Sequence, residues 1–228
     1  MSTQQGIYAT DGRALYTLTP DTGAFSAPTY FYNCDLTVVE ITLDDTGAMY
    51  AAGFANGRAA LYSVNPSNGA CKVVRHFMLD ASWSVGFLGN RLFGDESGTL
   101  VRMDTTSGMQ TLVMAAATTK REGCDIVLRA DGSAYVSALL DRTSPTPSNV
   151  LELIDPETGR VLQQFAIPDG TVLEGLAEAG GILYGFGRDG RVLRIALESG
   201  MVQLEPIVTL GGPARFTGAA SMFAPSPR

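Results

Sequence analysis

Short runs in which apolar and polar residues alternate, each closed by a turn that contains glycine, recur along most of the chain. An alternation with a period of two is typical of β-strands that bury one face. Between 38 and 77, two of the turns are Asp-Asp-Thr-Gly at 44–47 and Asn-Gly at 56–57, residues that favour hairpins. The pattern predicts four antiparallel strands in this stretch, at 38–43, 48–52, 59–64 and 70–77.

One phrase, a strand followed by a polar turn, occurs five times and ends each time in glycine. Two full copies are Leu-Tyr-Ser-Val-Asn-Pro-Ser-Asn-Gly at 61–69 and Leu-Glu-Leu-Ile-Asp-Pro-Glu-Thr-Gly at 151–159. A period of about 40 to 50 residues with several strands per copy is typical of a β-propeller. We therefore predict an all-β fold of four-stranded antiparallel blades. The closing glycines are Gly23, Gly69, Gly108, Gly159 and Gly200.

The two ends of the chain align with different parts of the repeat. Residues 6–18 are similar to 183–195, so the first repeat is predicted to begin at its second strand. Residues 216–223 are similar to the first strand that begins at 173. We expect the ends to complete one blade together, because a closed ring has no open sheet edges. This predicts one five-bladed domain over 1–228, with blades at 6–28 plus 216–224, 36–78, 83–114, 124–167 and 173–208.

The repeated phrase, with Asp-Gly-x-x-Tyr before it, resembles the repeat of bacterial propellers of the quinoprotein-like and NHL-like families. The resemblance covers nearly the whole chain and implies the propeller fold. It implies no single activity, since the phrase is turn chemistry that occurs in enzymes, lectins and scaffolds alike. The diagnostic motifs of five-bladed lectins, arabinan-cleaving glycosidases and glutaminyl cyclases are not found in the sequence.

Composition and charge narrow the classes of partner. The chain is 45% hydrophobic with 26 glycines, which suits many buried short strands and tight turns. Its net charge of −7 disfavours binding to phosphate backbones, so nucleic acid is not expected as a partner. The sequence has no apolar run long enough for a membrane span and no visible signal peptide. A cytoplasmic location is predicted, with an exported mature form as the alternative.

Cysteine and histidine are too few to indicate a metal site. The three cysteines, Cys34, Cys71 and Cys124, have no Cys-x-x-Cys spacing, which favours free thiols over a disulfide framework or a zinc site. His76 is the only histidine, so a histidine-rich metal site is excluded.

The first strands of the repeats are expected to line a central channel and to bring polar residues to one level. Three carboxylates at this level do not all stay ionised without a bound cation, a raised pKa or a basic neighbour. Oxygen ligands suit Ca²⁺ or Mg²⁺, and Glu40, Asp125 and Glu174 are the predicted ligands. The same three are the candidate catalytic groups of an enzyme, and a hydrated channel without a ligand is the third alternative. The predicted level holds Glu40, Ser84, Asp125, Glu174 and Thr217.

Aromatic and basic residues are predicted in loops around the mouth of the channel. Exposed aromatic rings with polar neighbours are suited to stacking on a sugar or gripping a protein. The alternative is that the rings fill gaps between blades. The predicted function is therefore a module that binds a protein or glycan at the channel mouth, with a hydrolase, lyase or cyclase as the alternative. The candidate binding residues are Tyr30, Phe31, Tyr32, Trp83, Ser84, Arg121, Arg188 and Thr217.

Overall fold

A computed structural model shows an all-β chain. It describes residues 6–34, 37–55, 58–77, 83–88, 91–96, 99–107, 109–114, 121–140, 148–168, 170–198, 200–210 and 215–221. Within these ranges there is no helix, and hence none long and apolar enough to cross a membrane.

The strands are short, as the turn spacing predicts. In chain order they are β1 (Ile7–Thr10), β2 (Ala14–Thr19), β3 (Ala24–Phe25), β4 (Thr29–Tyr30), β5 (Thr37–Leu43), β6 (Met49–Ala55), β7 (Arg58–Val64), β8 (Cys71–Phe77), β9 (Trp83–Leu88), β10 (Arg91–Glu96), β11 (Thr99–Met103), β12 (Gln110–Met114), β13 (Arg121–Leu128), β14 (Ala134–Leu140), β15 (Ser148–Asp155), β16 (Arg160–Ala166), β17 (Leu173–Ala179), β18 (Ile182–Gly187), β19 (Arg191–Glu198), β20 (Met201–Thr209) and β21 (Gly218–Ser221).

Consecutive strands pair as antiparallel groups, which we number as units. Unit 2 is β5–β8, unit 3 is β9–β12, unit 4 is β13–β16 and unit 5 is β17–β20. Units 4 and 5 are joined at their outer strands by one parallel pair, Ala166 with Met201. Unit 1 has the order β21, β1, β2, β3, and β4 also pairs with β2.

The C-terminal strand completes the N-terminal unit, as predicted. Strand β21 pairs antiparallel with β1, from Ile7 with Ser221 to Thr10 with Gly218. The N–H of Thr217 also donates to the carbonyl oxygen of Thr10 at 2.9 Å. The predicted closure of unit 1 is therefore confirmed.

The first strands of the units surround a common axis. Strands β5, β9, β13, β17 and β21 contact one another in a closed cycle. Apolar clusters of described residues lie between consecutive units, including between unit 5 and unit 1, so the core is distributed around the ring. Representative pairs are Leu15 with Tyr62, Leu61 with Phe87, Phe93 with Leu128, Leu151 with Leu193, and Leu18 with Phe186.

The repeated phrase forms the same turn in different units. In unit 2, the side-chain oxygen of Asn65 accepts from the N–H of Ser67 at 3.0 Å, and the N–H of Gly69 donates to the carbonyl oxygen of Asn65 at 2.7 Å. In unit 4, the N–H of Gly159 donates to the carbonyl oxygen of Asp155 at 2.8 Å. The predicted turn chemistry is confirmed at these positions.

A disulfide joins Cys34 to Cys71, so the prediction of free thiols is wrong for these two residues. Their Cα atoms lie 5.2 Å apart although 37 residues separate them in sequence. The cause is a crossing of the chain between units: Tyr32 forms a parallel bridge with Ala70, which brings Cys34 beside the start of β8. The side chain of Cys124 lies outside the described residues.

Candidate functional site

The predicted polar level of the channel is present in units 2, 3 and 4. The first strand of each unit pairs with the second, and equivalent pairs define the level. Glu40, Ser84 and Asp125 occupy equivalent positions and all three are buried. The pairs are Glu40 with Ala52, Ser84 with Asp95, and Asp125 with Ser137.

In units 5 and 1 the predicted level is wrong by one residue. Gly175, paired with Phe186, and Gly218, paired with Thr10, stand where Glu174 and Thr217 were expected. The physical reason is turn length. Units 2 and 4 have long turns at 44–48 and 129–133, whereas unit 5 turns through 180–181 alone. Glu40 and Asp125 each lie ten residues before the tyrosine of the second strand. In unit 5 the same count back from Tyr184 gives Glu174, which is one residue too early.

The two glycines let neighbouring first strands approach each other closely. A methyl group at Gly218 would lie 2.7 Å from Cδ of Glu40 and 2.9 Å from its Cα. A methyl group at Gly175 would lie 2.9 Å from the backbone nitrogen of Ala219. Because real Cβ contacts are not this short, both positions require glycine for the strands to approach the axis.

Glu40 and Asp125 form a buried acid pair with few protein donors. Both residues are 0% exposed. The Oδ1 atom of Asp125 accepts from the N–H of Ile126 at 2.6 Å, and its Oδ2 atom accepts from the N–H of Leu176. The Oε1 atom of Glu40 accepts from the N–H of Ile41 at 2.8 Å. Within the described part of the chain, Oε2 of Glu40 is buried without a hydrogen-bond donor.

The surroundings of the two acids favour a bound proton, which explains why Oε2 of Glu40 needs no donor. Burial, and then the neighbouring Asp125, raise the pKa of Glu40 well above its usual value. Burial also raises the pKa of Asp125 to about 7. These shifts favour the protonated form of Glu40, whose O–H donates a hydrogen bond to Asp125 and removes the repulsion between two buried carboxylates.

A small cavity lies next to the acid pair along the first strands. Its volume of about 20 Å³ is room for about one water molecule. Among the described residues, no group of three or more His, Cys, Asp or Glu side chains is arranged to hold a metal ion. Residues that line the cavity include Thr42, Val85, Ile126, Leu176 and Ala219.

Glu174 and Arg188 lie together near the start of β17, the first strand of unit 5. Glu174 is the extra residue of a bulge between Leu173 and Gly175. Its carboxylate forms an ion pair with Arg188, whose side chain is largely exposed. Two of the predicted kinds of compensation therefore occur: the pKa of Glu40 is raised, and Glu174 has a basic neighbour.

The aromatic segment lies at the perimeter of the ring, so its predicted position at the channel mouth is wrong. Strand β4 pairs with β2, with Tyr30 opposite Ala14, and β2 is the third strand from the axis. Tyr32 lies beside Ala70 at the start of the outer strand of unit 2. Tyr30 is 66% exposed and Tyr32 is 47% exposed, while Phe31 packs on the cluster between units 1 and 2.

This segment is held on both sides. We call residues 29–34 the bridged segment, because the Cys34–Cys71 disulfide ties it to unit 2. The N–H of Phe31 donates to the carbonyl oxygen of Arg13 at 3.0 Å, and the N–H of Tyr32 donates to that of Gly69 at 3.1 Å. The N–H of Cys71 donates back to the carbonyl oxygen of Tyr32 at 3.0 Å. The exposed tyrosines are therefore carried by a fixed backbone.

Two further candidates and the disulfide complete the comparison with the sequence. The side chains of Trp83 and Arg121 lie outside the described residues, as do residues 141–147 between β14 and β15. Sequence reasoning missed the disulfide, because its cysteines are 37 residues apart and no spacing motif links them. Cys34 closely follows the aromatic segment, and Cys71 follows the repeat glycine Gly69 by two residues.

Comparison with known proteins identifies the fold. No protein-family model matches the sequence, and no curated protein matches it significantly. The structure of a Nidogen/Laminin complex aligns with a TM-score of 0.62 and 11% identity, over 96% of this chain and 98% of that chain. Virginiamycin B lyase from Staphylococcus aureus aligns with a TM-score of 0.51 and 16% identity, over 86% of this chain and 64% of that chain. The chain has the β-propeller fold that these structures share.

Proposed function

We propose that this β-propeller is a protein-binding module and that the partner contacts the bridged segment through Tyr30 and Tyr32. We also propose that its units are the blades of a single five-bladed domain over 1–228. The closed cycle of first strands and the cluster between units 5 and 1 support that count.

The observation that carries the binding proposal is the exposure of two tyrosines on a fixed backbone. Tyrosine is enriched among residues that dominate binding energy, because its ring buries a large area with few rotatable bonds. A backbone already ordered before binding loses little conformational entropy in a complex. Val73 and Val74 are also exposed, on the same outer strand as Cys71.

The fold is compatible with such a role. One aligned structure is that of a Nidogen/Laminin complex, so the same fold occurs within an assembly of proteins. The net charge of −7 makes nucleic acid the less favourable partner. A glycan is the remaining class of ligand, and the same tyrosines would stack on it.

The enzyme alternative and the channel cation are not part of this proposal. Glu40 and Asp125 are both 0% exposed, and the described cavity beside them holds only about 20 Å³, which favours binding at the perimeter over chemistry at the centre. The predicted Ca²⁺ or Mg²⁺ site at Glu40, Asp125 and Glu174 stays a prediction. The predicted cytoplasmic location also stays a prediction, and the disulfide weighs against it because disulfides persist mainly in oxidising compartments.

The test is an affinity capture from extracts of the source organism with quantitative mass spectrometry. The full chain, its Tyr30→Ser/Tyr32→Ser variant and a Met201→Ser control are immobilised separately. Met201 is a matched control because it is 51% exposed on an outer strand far from the bridged segment. We expect at least one protein whose retention falls about tenfold or more in the tyrosine variant and is unchanged in the control.

A glycan array with the same three proteins separates the two ligand classes. If every captured protein is retained equally by all three, the tyrosine surface is not the binding surface. If only a glycan distinguishes the tyrosine variant, the surface is right and protein is the wrong class of ligand.

A further inference from the structure

A groove of about 370 Å³ lies on unit 3, away from both the channel and the bridged segment. It opens beside the turn between β11 and β12. Its size is within the range of pockets that hold small organic ligands. The residues that line it are Arg91, Arg102, Met103, Asp104, Thr105, Thr106, Met109 and Thr111.

Two arginines in the groove already share one carboxylate. Nη1 of Arg91 forms an ion pair with Oε1 of Glu157, and Nη1 of Arg102 lies 3.5 Å from Oε2 of the same side chain. Glu157 belongs to the turn of unit 4, so the pairing crosses the boundary between the units. The two guanidinium groups are therefore held at the spacing of one carboxylate, which is the geometry that arginine recognises best.

The arginines are accessible to an anion that competes with Glu157. Their side chains are 45% and 41% exposed, and each guanidinium has donors beyond the Nη1 atom that meets Glu157. Arg75 of unit 2 approaches the same turn, where it donates to the carbonyl oxygen of Thr106. Among the described residues that line the groove or bind its lining, three arginines face Asp104 and Glu157, which leaves one positive charge in excess.

The remaining walls favour a ligand with a short apolar stem. Met109, 65% exposed, gives the groove an apolar wall, while the Met103 side chain is buried in the cluster between units 2 and 3. Thioether side chains adapt to irregular aliphatic groups. Thr105, Thr106 and Thr111 add hydroxyl groups to the lining.

We infer that this groove is a binding site for a carboxylate on a short aliphatic stem, recognised by Arg91 and Arg102 and in competition with Glu157. The carboxylate has two sources, a free small dicarboxylic acid or a glutamate side chain of a partner. Removal of the Glu157 carboxylate strengthens binding, because the ligand no longer displaces a resident group.

The experiment is calorimetric titration of the full chain at low ionic strength with glutarate, with the peptide acetyl-Leu-Glu-Leu-amide and with inorganic phosphate. The variants are Arg91→Gln/Arg102→Gln, Glu157→Gln and, as a control, Arg194→Gln, which removes an exposed arginine paired with Glu205 on unit 5. We expect saturable binding of a carboxylate, a loss of about tenfold or more in the double variant, a gain of about threefold or more in Glu157→Gln and no change in the control.

The relative affinities of glutarate and the peptide identify the source of the carboxylate. Equal affinity in the wild type and the double variant, no gain in Glu157→Gln, or phosphate binding as tight as glutarate would each overturn the assignment. Far-ultraviolet circular dichroism of each variant shows whether the fold is retained. The Tyr30→Ser/Tyr32→Ser variant keeps full carboxylate binding, so failure here is distinct from failure of the proposed protein-binding surface.

Discussion

The centre of the ring and the bridged segment at its perimeter differ in opposite ways from what their residue types suggest. The centre holds the acids that usually signal chemistry, yet Glu40 and Asp125 are fully buried beside a cavity of about 20 Å³. The perimeter holds tyrosines, which usually pack inside, yet Tyr30 is 66% exposed. How closely the strands approach therefore decides whether a polar or aromatic side chain is open to solvent.

The two regions also depend on different supports. Glycines at 175 and 218 let the first strands close on the acid pair. The bridged segment depends on a disulfide and three backbone hydrogen bonds, because the outer strand of unit 1 is broken between β3 and β4. Substitutions at the centre should therefore change stability alone, whereas those at the perimeter should reach binding as well.

The largest expected effect is loss of the disulfide. Replacement of Cys34 and Cys71 by serine should lower the free energy of unfolding by about 4 kcal/mol, since a loop of 37 residues is no longer closed in the unfolded chain. Urea unfolding without reductant measures the change. Dithiothreitol should destabilise the wild type by a similar amount and leave the serine variant unaffected. A double variant as stable as the wild type would show that the disulfide does not support this region.

A smaller effect is expected where the bridged segment meets unit 2. Gly69 and Gly200 both have positive φ, 77° and 82°, so alanine strains the backbone at either position by about 1 kcal/mol. Only at Gly69 would the methyl group also lie 2.8 Å from the carbonyl carbon of Tyr30, whereas at Gly200 nothing lies within 4 Å. Gly69→Ala should therefore cost about 2 kcal/mol more than Gly200→Ala in urea unfolding. Equal costs would mean that the segment moves aside freely.

The sequence predicted the architecture better than the positions of the site residues. Turn residues and alternation are local, so they predicted the repeat, and the alignment of the two ends predicted the pairing of β21 with β1. The level of Glu174 depended on the length of one turn, and 180–181 is shorter than the equivalent turns in units 2 and 4. The place of Tyr32 and the Cys34–Cys71 bond arise where the chain crosses between units, and no local pattern records that crossing.

At the centre, we expect a moderate dependence of the free energy of unfolding on pH. The folded chain holds protons on Glu40 and Asp125 that the unfolded chain releases above its ordinary carboxyl pKa values, which are near 4. The contribution of the pair to the free energy of unfolding is therefore greatest below about pH 4. It declines as the pH rises towards the folded pKa of Asp125, about 7. The slope should approach about 1.4 kcal/mol per pH unit for each proton retained.

Glu40→Gln tests this directly, because the amide donates to Asp125 without a titrating proton. Urea unfolding from pH 4.5 to 7.5 should show a flatter decline in this variant than in the wild type. Glu205→Gln, at an exposed carboxylate paired with Arg194, serves as the control and should keep the wild-type slope. Identical slopes in all three proteins would contradict a retained proton at the centre.

The smallest effect on stability is expected for the tyrosines themselves. Tyr30→Ser should change the free energy of unfolding by no more than about 0.5 kcal/mol, since the ring is mostly in solvent. Phe31→Ser provides the contrast in the same segment, because Phe31 packs on the cluster between units 1 and 2 and its loss should cost more. Thermal unfolding of the two variants side by side would settle the order, and a reversed order would assign the packing role to Tyr30.

The pairing of β21 with β1 also determines the order in which the ring is able to form during synthesis. Strand β21 follows every other strand in the chain, and the contact between Thr217 and Thr10 spans 207 residues. Until β21 leaves the ribosome, β1 presents an unpaired edge and Glu40 has no Gly218 beside it. Contacts of such long range are slow to form. The nascent chain therefore carries an open edge at β1 until the 207 residues that separate Thr10 from Thr217 have been made, and pairing with another chain is the main hazard during that time.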